Sequence, residues 1–116
     1  MSEIKRLHVG KRMSDAAIHG GVVYLAGQVA DDPSKDTRGQ TAEVLATIDR
    51  LLGEAGTDKT RLLQVQIFLS DISNFAAMNE VWDAWVPQGH TPPRATIESR
   101  LARPEYLVEI KVIAAA

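Results

Sequence analysis

Leu62-Leu63-Gln64-Val65-Gln66-Ile67-Phe68-Leu69 is the stretch whose reading decides the fold. Apolar and polar residues alternate along it, the period-two pattern of a half-buried strand. Helix-period segments flank it on both sides. Upstream, Gln40 to Ala55 repeats apolar residues at intervals of three and four through Val44, Leu45, Ile48, Leu51 and Leu52, and Gly53 and Gly56 mark its end. Downstream, Ser73 or Asn74 can cap a second helix that runs to about Val86 and stops before Pro87 and Gly89. A strand set between two helices predicts crossovers packed on one face of a mixed sheet.

Further out, the pattern is all strand. Ile4 to His8 reads as a short edge strand. Ala16 to His19 and Val22 to Gln28 read as a hairpin, because Gly20-Gly21 supplies the positive φ angles of a two-residue turn. Asp31 to Asp36 is a surface loop rich in turn residues. At the other end, Arg94 to Ser99 and Leu107 to Ile113 read as a closing antiparallel hairpin folded about Leu101 and Ala102, which would set Arg94 opposite Glu109. The expected class is α+β, in the order β-β-β-α-β-α-β-β. One set of strand positions is apolar: Val23, Leu25, Leu63, Val65, Ile67, Leu69, Val108, Ile110 and Val112. That set should meet the helices. The other set is mixed and includes Tyr24, Ala26, Gln28, Gln64, Gln66, Phe68, Glu109, Lys111 and Ile113. Such a surface suits a subunit interface with polar groups inside it; a solvent face with a few stray apolar residues is the plainer alternative.

The chain has 116 residues, which fits one domain over 1–116 at ~100–200 residues per domain. Its net charge is −2 with no block of like charges, which argues against nucleic acid or an anionic membrane as partner. There is no cysteine, so disulfides, thiol nucleophiles and thiolate metal sites are excluded. The segment Met1 to Arg6 lacks the apolar core of a signal peptide and no run approaches a membrane span, so a cytoplasmic protein is the simplest reading.

Few residues are candidates for chemistry. Arg94 could grip a substrate carboxylate with two parallel hydrogen bonds, and Glu109 could orient or deprotonate a water. The same two residues could equally form a cross-strand salt bridge. Asn79 falls within the apolar stripe Phe75, Met78, Trp82, Trp85, where an amide needs partners; it either lines a site or tethers a loop. Gln28 either faces a ligand or satisfies backbone groups where the strand ends, and Gly27 allows close approach to the backbone or marks a bulge. His8, His19 and His90 share no ligand spacing, so no metal site is expected. There is no Gly-rich phosphate loop, no nucleophile elbow and no platform of aromatics among basic residues.

Taken together, these segments resemble the RidA/YjgF family of small imine deaminases. The resemblance rests on Val23-Tyr24-Leu25-Ala26-Gly27-Gln28, on Asn79 in Met78-Asn79-Glu80-Val81-Trp82, on Pro93-Arg94-Ala95-Thr96-Ile97-Glu98 and on Val108-Glu109-Ile110, and it runs the length of the chain. It implies a chorismate-mutase-like fold and a homotrimer with sites at the subunit interfaces. It also implies that Arg94 grips the substrate carboxylate and that Glu109 positions the attacking water. Asn79, Thr96, Gly27, Gln28, Ala26 and Met13 would line the site. Met13, Ala26 and Thr96 stand where the best-known branch has tyrosine, serine and cysteine, so the pocket rim differs from that branch. The implied reaction is cofactor-free hydrolysis of 2-imino acids, of the 2-aminoacrylate and 2-iminopropionate type, to 2-oxo acids and ammonia. A non-catalytic 2-oxo-acid-binding module and an RNA-cleaving translation inhibitor are the rival functions. The small net charge and the absence of a His–His or His–Lys pair disfavour the second of these, and few exposed apolar runs disfavour a holdase.

Overall fold

Residues 3–116 are described by the computed structural model. Six strands form one mixed sheet: β1 (Lys5–Leu7), β2 (Ala16–His19), β3 (Val22–Leu25), β4 (Leu62–Leu69), β5 (Arg94–Glu98) and β6 (Val108–Ala115). Helix α1 (Thr37–Glu54) joins β3 to β4, and α2 (Phe75–Trp85) joins β4 to β5. The order along the chain is the expected β-β-β-α-β-α-β-β, and the order across the sheet is β1-β2-β3-β6-β4-β5. Both helices cover one face. Val44, Leu45, Ile48, Leu51 and Leu52 of α1 join Met78 and Trp82 of α2 in a single buried cluster with Val23, Leu25, Val65, Ile67, Leu69, Val108, Ile110, Val112 and Ala114. Among the described residues nothing forms a layer on the opposite sheet face, and the molecule is a slab of 45 × 38 × 20 Å. A thickness of 20 Å accommodates about one sheet and one helix layer at ~10 Å each.

The first hairpin is built as its glycines dictate. Gly20 and Gly21 have φ values of 59° and 78°, which only glycine adopts without strain, and Ala16 pairs with Leu25. Helix α1 begins earlier than its apolar period indicates, because Asp36 caps it by accepting from the Gly39 N–H at 2.9 Å. Helix α2 lacks the expected side-chain cap at Asn74. A 3-10 turn, Ile72–Asn74, precedes it instead; Asp71 accepts from the Ser73 N–H, and Glu98 from the Ile72 N–H at 2.9 Å.

The closing hairpin does not exist. β5 pairs with β4 in parallel, Val65 beside Arg94, and α2 is the crossover between them. β6 runs antiparallel between β3 and β4, with Phe68 beside Glu109. Arg94 and Glu109 are therefore separated by a whole strand. Leu63, expected among the buried strand positions, lies outside the core. A register shift between Leu62 and Gln64 turns Leu62 into the core and leaves Leu63 47% exposed, on the face away from the helices.

Gln40 fixes where β6 enters the sheet. It is fully buried on α1. Its Nε2 donates to the carbonyls of Pro33 (3.1 Å), Lys35 (3.0 Å) and Glu105 (2.9 Å), and its Oε1 accepts from the Leu107 N–H at 2.9 Å. With two hydrogens for three carbonyls, one of those bonds is shared. The amide ties the loop before α1 to the loop before β6, two residues from Glu109.

Candidate functional site

The residues singled out for chemistry fall into two groups on opposite faces of the sheet. The first lies at the β5 edge, on the helix side. Arg94 shares its face with its buried neighbour Val65. Its guanidinium carbon lies 5.2 Å from the centre of the Trp82 ring and 5.9 Å from that of Phe75, within cation–π range. Among the described residues Arg94 forms no ion pair. Burial pushes its pKa below the ordinary guanidinium value, and the charge of Asp83 pulls the other way. The side chain stays protonated regardless. It is thus a half-buried cation resting on two aromatic faces with no carboxylate bound to it. Asn79 follows Phe75 by four residues and precedes Trp82 by three, so it occupies the same stripe of α2. It is half-buried and makes no side-chain hydrogen bond among the described residues. Thr96 stands two residues from Arg94 on the same face, and its Oγ1 is buried without a partner.

The second group lies on the uncovered face. Glu109 alternates with the buried residues Val108 and Ile110, so its side chain points away from the helices. Gly27 faces it. An added Cβ at Gly27 would overlap Glu109 Oε2 and lie 3.0 Å from Cδ, so the carboxylate rests directly on the backbone of this residue. Gln28 pairs with Ile110 through 2.9 and 3.1 Å backbone bonds, which hold Gly27 against β6. The Gln28 side chain donates to the Ala26 carbonyl at 3.0 Å, and the Ala26 N–H donates to Asp15 O at 2.8 Å. Met13, 54% exposed, lies in the loop leading to Asp15. Glu109 also forms the floor of a depression of about 220 Å³ with Phe68 and the loop Ser99–Ala102.

The two groups do not meet within one chain. Two strand spacings across and three residues along place Arg94 and Glu109 about 14 Å apart at Cα, with their side chains on opposite faces. The cross-strand salt bridge is excluded with them. The aromatic support of Arg94 is not evident from the sequence, where Phe75 and Trp82 belong to an apolar stripe whose tryptophans suit core or interface alike. The seven-residue spacing of Phe75 and Trp82 is the signal that puts both on one stripe. Phe68 falls on the same mixed face as Glu109 in the sequence, but the loop wall of the Glu109 depression, Arg100 included, is not legible there, because it depends on how the loop 99–107 crosses the sheet. Among the described residues no three His, Asp or Glu side chains cluster as a metal site, and no helix is long and apolar enough to cross a membrane.

The Gly27–Glu109 contact makes a prediction. Gly27→Ala should fold normally, since the atom it meets ends a flexible side chain, but the carboxylate must swing aside. If Glu109 acts from this position, activity should fall roughly 10²-fold, the scale of a misplaced reacting group. Thermal unfolding and initial rates on the same sample check both halves; full activity with Cβ in place would show that the contact is incidental.

Comparison with known proteins points to one family. The profile described as Endoribonuclease L-PSP matches residues 3–116. A RutC family protein of Haemophilus ducreyi is 46% identical over 112 residues, covering 97% of this chain and 96% of that protein. The RutC family protein YoaB of Escherichia coli is 45% identical, covering 97% of each chain. The crystal structure of a YjgF family member from Neisseria meningitidis superposes with a TM-score of 0.96 at 46% identity, covering 98% of this chain and 95% of that one.

Proposed function

Because the chain belongs to the RidA/YjgF family, to which the RutC proteins also belong, we propose that it is a cofactor-independent 2-imino acid deaminase of the 2-iminobutanoate/2-iminopropanoate type. The observation that carries the reading is Arg94, a half-buried guanidinium laid on Phe75 and Trp82 without an ion-pair partner among the described residues. A planar carboxylate matches its two parallel donors.

The site is completed by a second copy. Arg94, Asn79 and Thr96 of one subunit face Glu109, Gly27, Gln28, Ala26 and Met13 of its neighbour. Two different patches meet at each contact, so the contact is head-to-tail, and such contacts form a closed ring when the rotation between subunits closes and a filament when it does not. Family resemblance makes that ring a homotrimer. The uncovered face, with Tyr24, Leu63 and Ile97 each more than 40% exposed, is the surface it would bury.

Arg94 fixes the substrate carboxylate, and with it the imine carbon beside Glu109. The Glu109 carboxylate takes a proton from water as the oxygen attacks that carbon. The proton passes to nitrogen, and the carbinolamine collapses to a 2-oxo acid and ammonia. Imines hydrolyse unaided, so positioning and one acid–base group worth roughly 10²–10⁴-fold suffice. The reading places the protein in the cytoplasm, beside enzymes that release imino acids from amino acids.

The test couples an amino-acid oxidase to the protein and follows imine decay, with the particle mass measured on the same preparation. The expected result is decay above background and a mass about three times the 12.7 kDa chain. A stable monomer at micromolar concentration, or a trimer that binds 2-oxo acids without hastening decay, contradicts the deaminase.

A further inference from the structure

Arg100 lies in the wall of the Glu109 depression, and the imine-hydrolysis reading makes no use of it. The loop that carries it is anchored at the strand ends. The Ser99 N–H donates to Leu69 O at 2.9 Å, and the Ser70 N–H donates to Leu107 O at 3.1 Å. Arg100 is thus one residue past a fixed point. It lines the 220 Å³ depression with Glu109 and Phe68, and also a larger one of about 630 Å³ that shares the loop Ser99–Ala102. The remaining charged groups of that larger depression are engaged. Arg103 binds Glu105 at 2.7 Å and stacks on Tyr106, and Glu98 accepts from the Ile72 N–H at 2.9 Å. Arg100 is exposed and forms no ion pair among the described residues.

We propose that Arg100 is a specificity residue that binds a second acidic group on the substrate side chain, so that this chain carries the same imine hydrolysis beyond short monocarboxylic 2-imino acids and prefers dicarboxylic ones. The inference rests on the imine-hydrolysis reading, which puts the reacting carbon beside Glu109 and the first carboxylate on Arg94 of the neighbouring subunit. The side chain of the substrate then leaves along the depression, where Phe68 packs against its methylenes. A second carboxylate at its end meets Arg100. Without a cation there, the charge on Glu109 would repel such a substrate; with it, the wall selects for one.

The experiment compares imines generated in situ by oxidation of glutamate and of alanine, and titrates the stable products 2-oxoglutarate and pyruvate by calorimetry. In the wild type, kcat/KM for the glutamate-derived imine should exceed that for the alanine-derived imine, and 2-oxoglutarate should bind more tightly than pyruvate. Arg100→Gln should lower both ratios by at least about tenfold. Ratios unchanged in a folded, assembled Arg100→Gln overturn the inference. So does a variant that dissociates with its ratios intact, which would make Arg100 an interface group. Arg100-dependent preference for 2-oxoglutarate in a protein that hydrolyses neither imine supports the Arg100 assignment while refuting the deaminase.

Discussion

Arg94→Ala should lose imine hydrolysis while keeping its fold. Two charge-assisted hydrogen bonds to a carboxylate are worth about 3–6 kcal/mol, so kcat/KM should drop roughly 10²- to 10⁴-fold. The cost to stability should be small. Arg94 forms no ion pair among the described residues, and its contacts with Phe75 and Trp82 contribute about 0.5–1 kcal/mol each. Removing the cation also relieves the desolvation that lowers its pKa. Arg94→Lys should recover little, because an ammonium lacks the planar fork and stacks less well. Rates and thermal unfolding measured together separate this outcome from simple misfolding. A folded Arg94→Ala protein with wild-type kcat/KM would remove the carboxylate clamp.

Glu109→Gln should carry the other large effect, and of a different kind. The amide fills nearly the same volume on Gly27 but is a poor base. The expected loss is roughly 10²–10⁴-fold in kcat, with KM and 2-oxo acid binding little changed. Glu109 makes no ion pair among the described residues, so the substitution should shift stability by less than about 1 kcal/mol. A loss of binding with unaltered kcat would make Glu109 a pocket wall rather than a base.

What the sequence made legible were the local features. Gly20-Gly21 encodes its own turn, and the apolar spacing along Val44 to Leu52 and the alternation along β6 and, past the irregularity at Leu63, along β4 encode which side is buried. Pairing between distant strands is not encoded locally. Arg94–Glu98 and Val108–Ala115, joined by a loop, look like a hairpin, yet a helix before β5 equally permits a parallel βαβ unit, and the structure takes that course. The helix starts were blurred for a related reason: Asp36 caps α1 ahead of its apolar stripe, and Glu98 steadies the approach to α2 from another strand. At the site, the important residue types were legible but their arrangement was not. Arg94 and Glu109 look like cross-strand neighbours in the sequence. In the fold they stand on opposite faces, which turns a salt-bridge question into one about a partner subunit.

That shared site is the central claim, and complementation tests it most directly. Arg94→Ala and Glu109→Gln are each expected to be nearly inactive. Unfolded together at equal concentration and refolded, they should form mixed trimers. An interface is competent when the intact Arg94 of one subunit meets the intact Glu109 of the next. Random assembly around a head-to-tail ring makes about a quarter of the interfaces competent, so about a quarter of wild-type activity should return. A mixture no more active than its two parents, although mixed trimers are present, would show that Arg94 and Glu109 do not act across the subunit boundary.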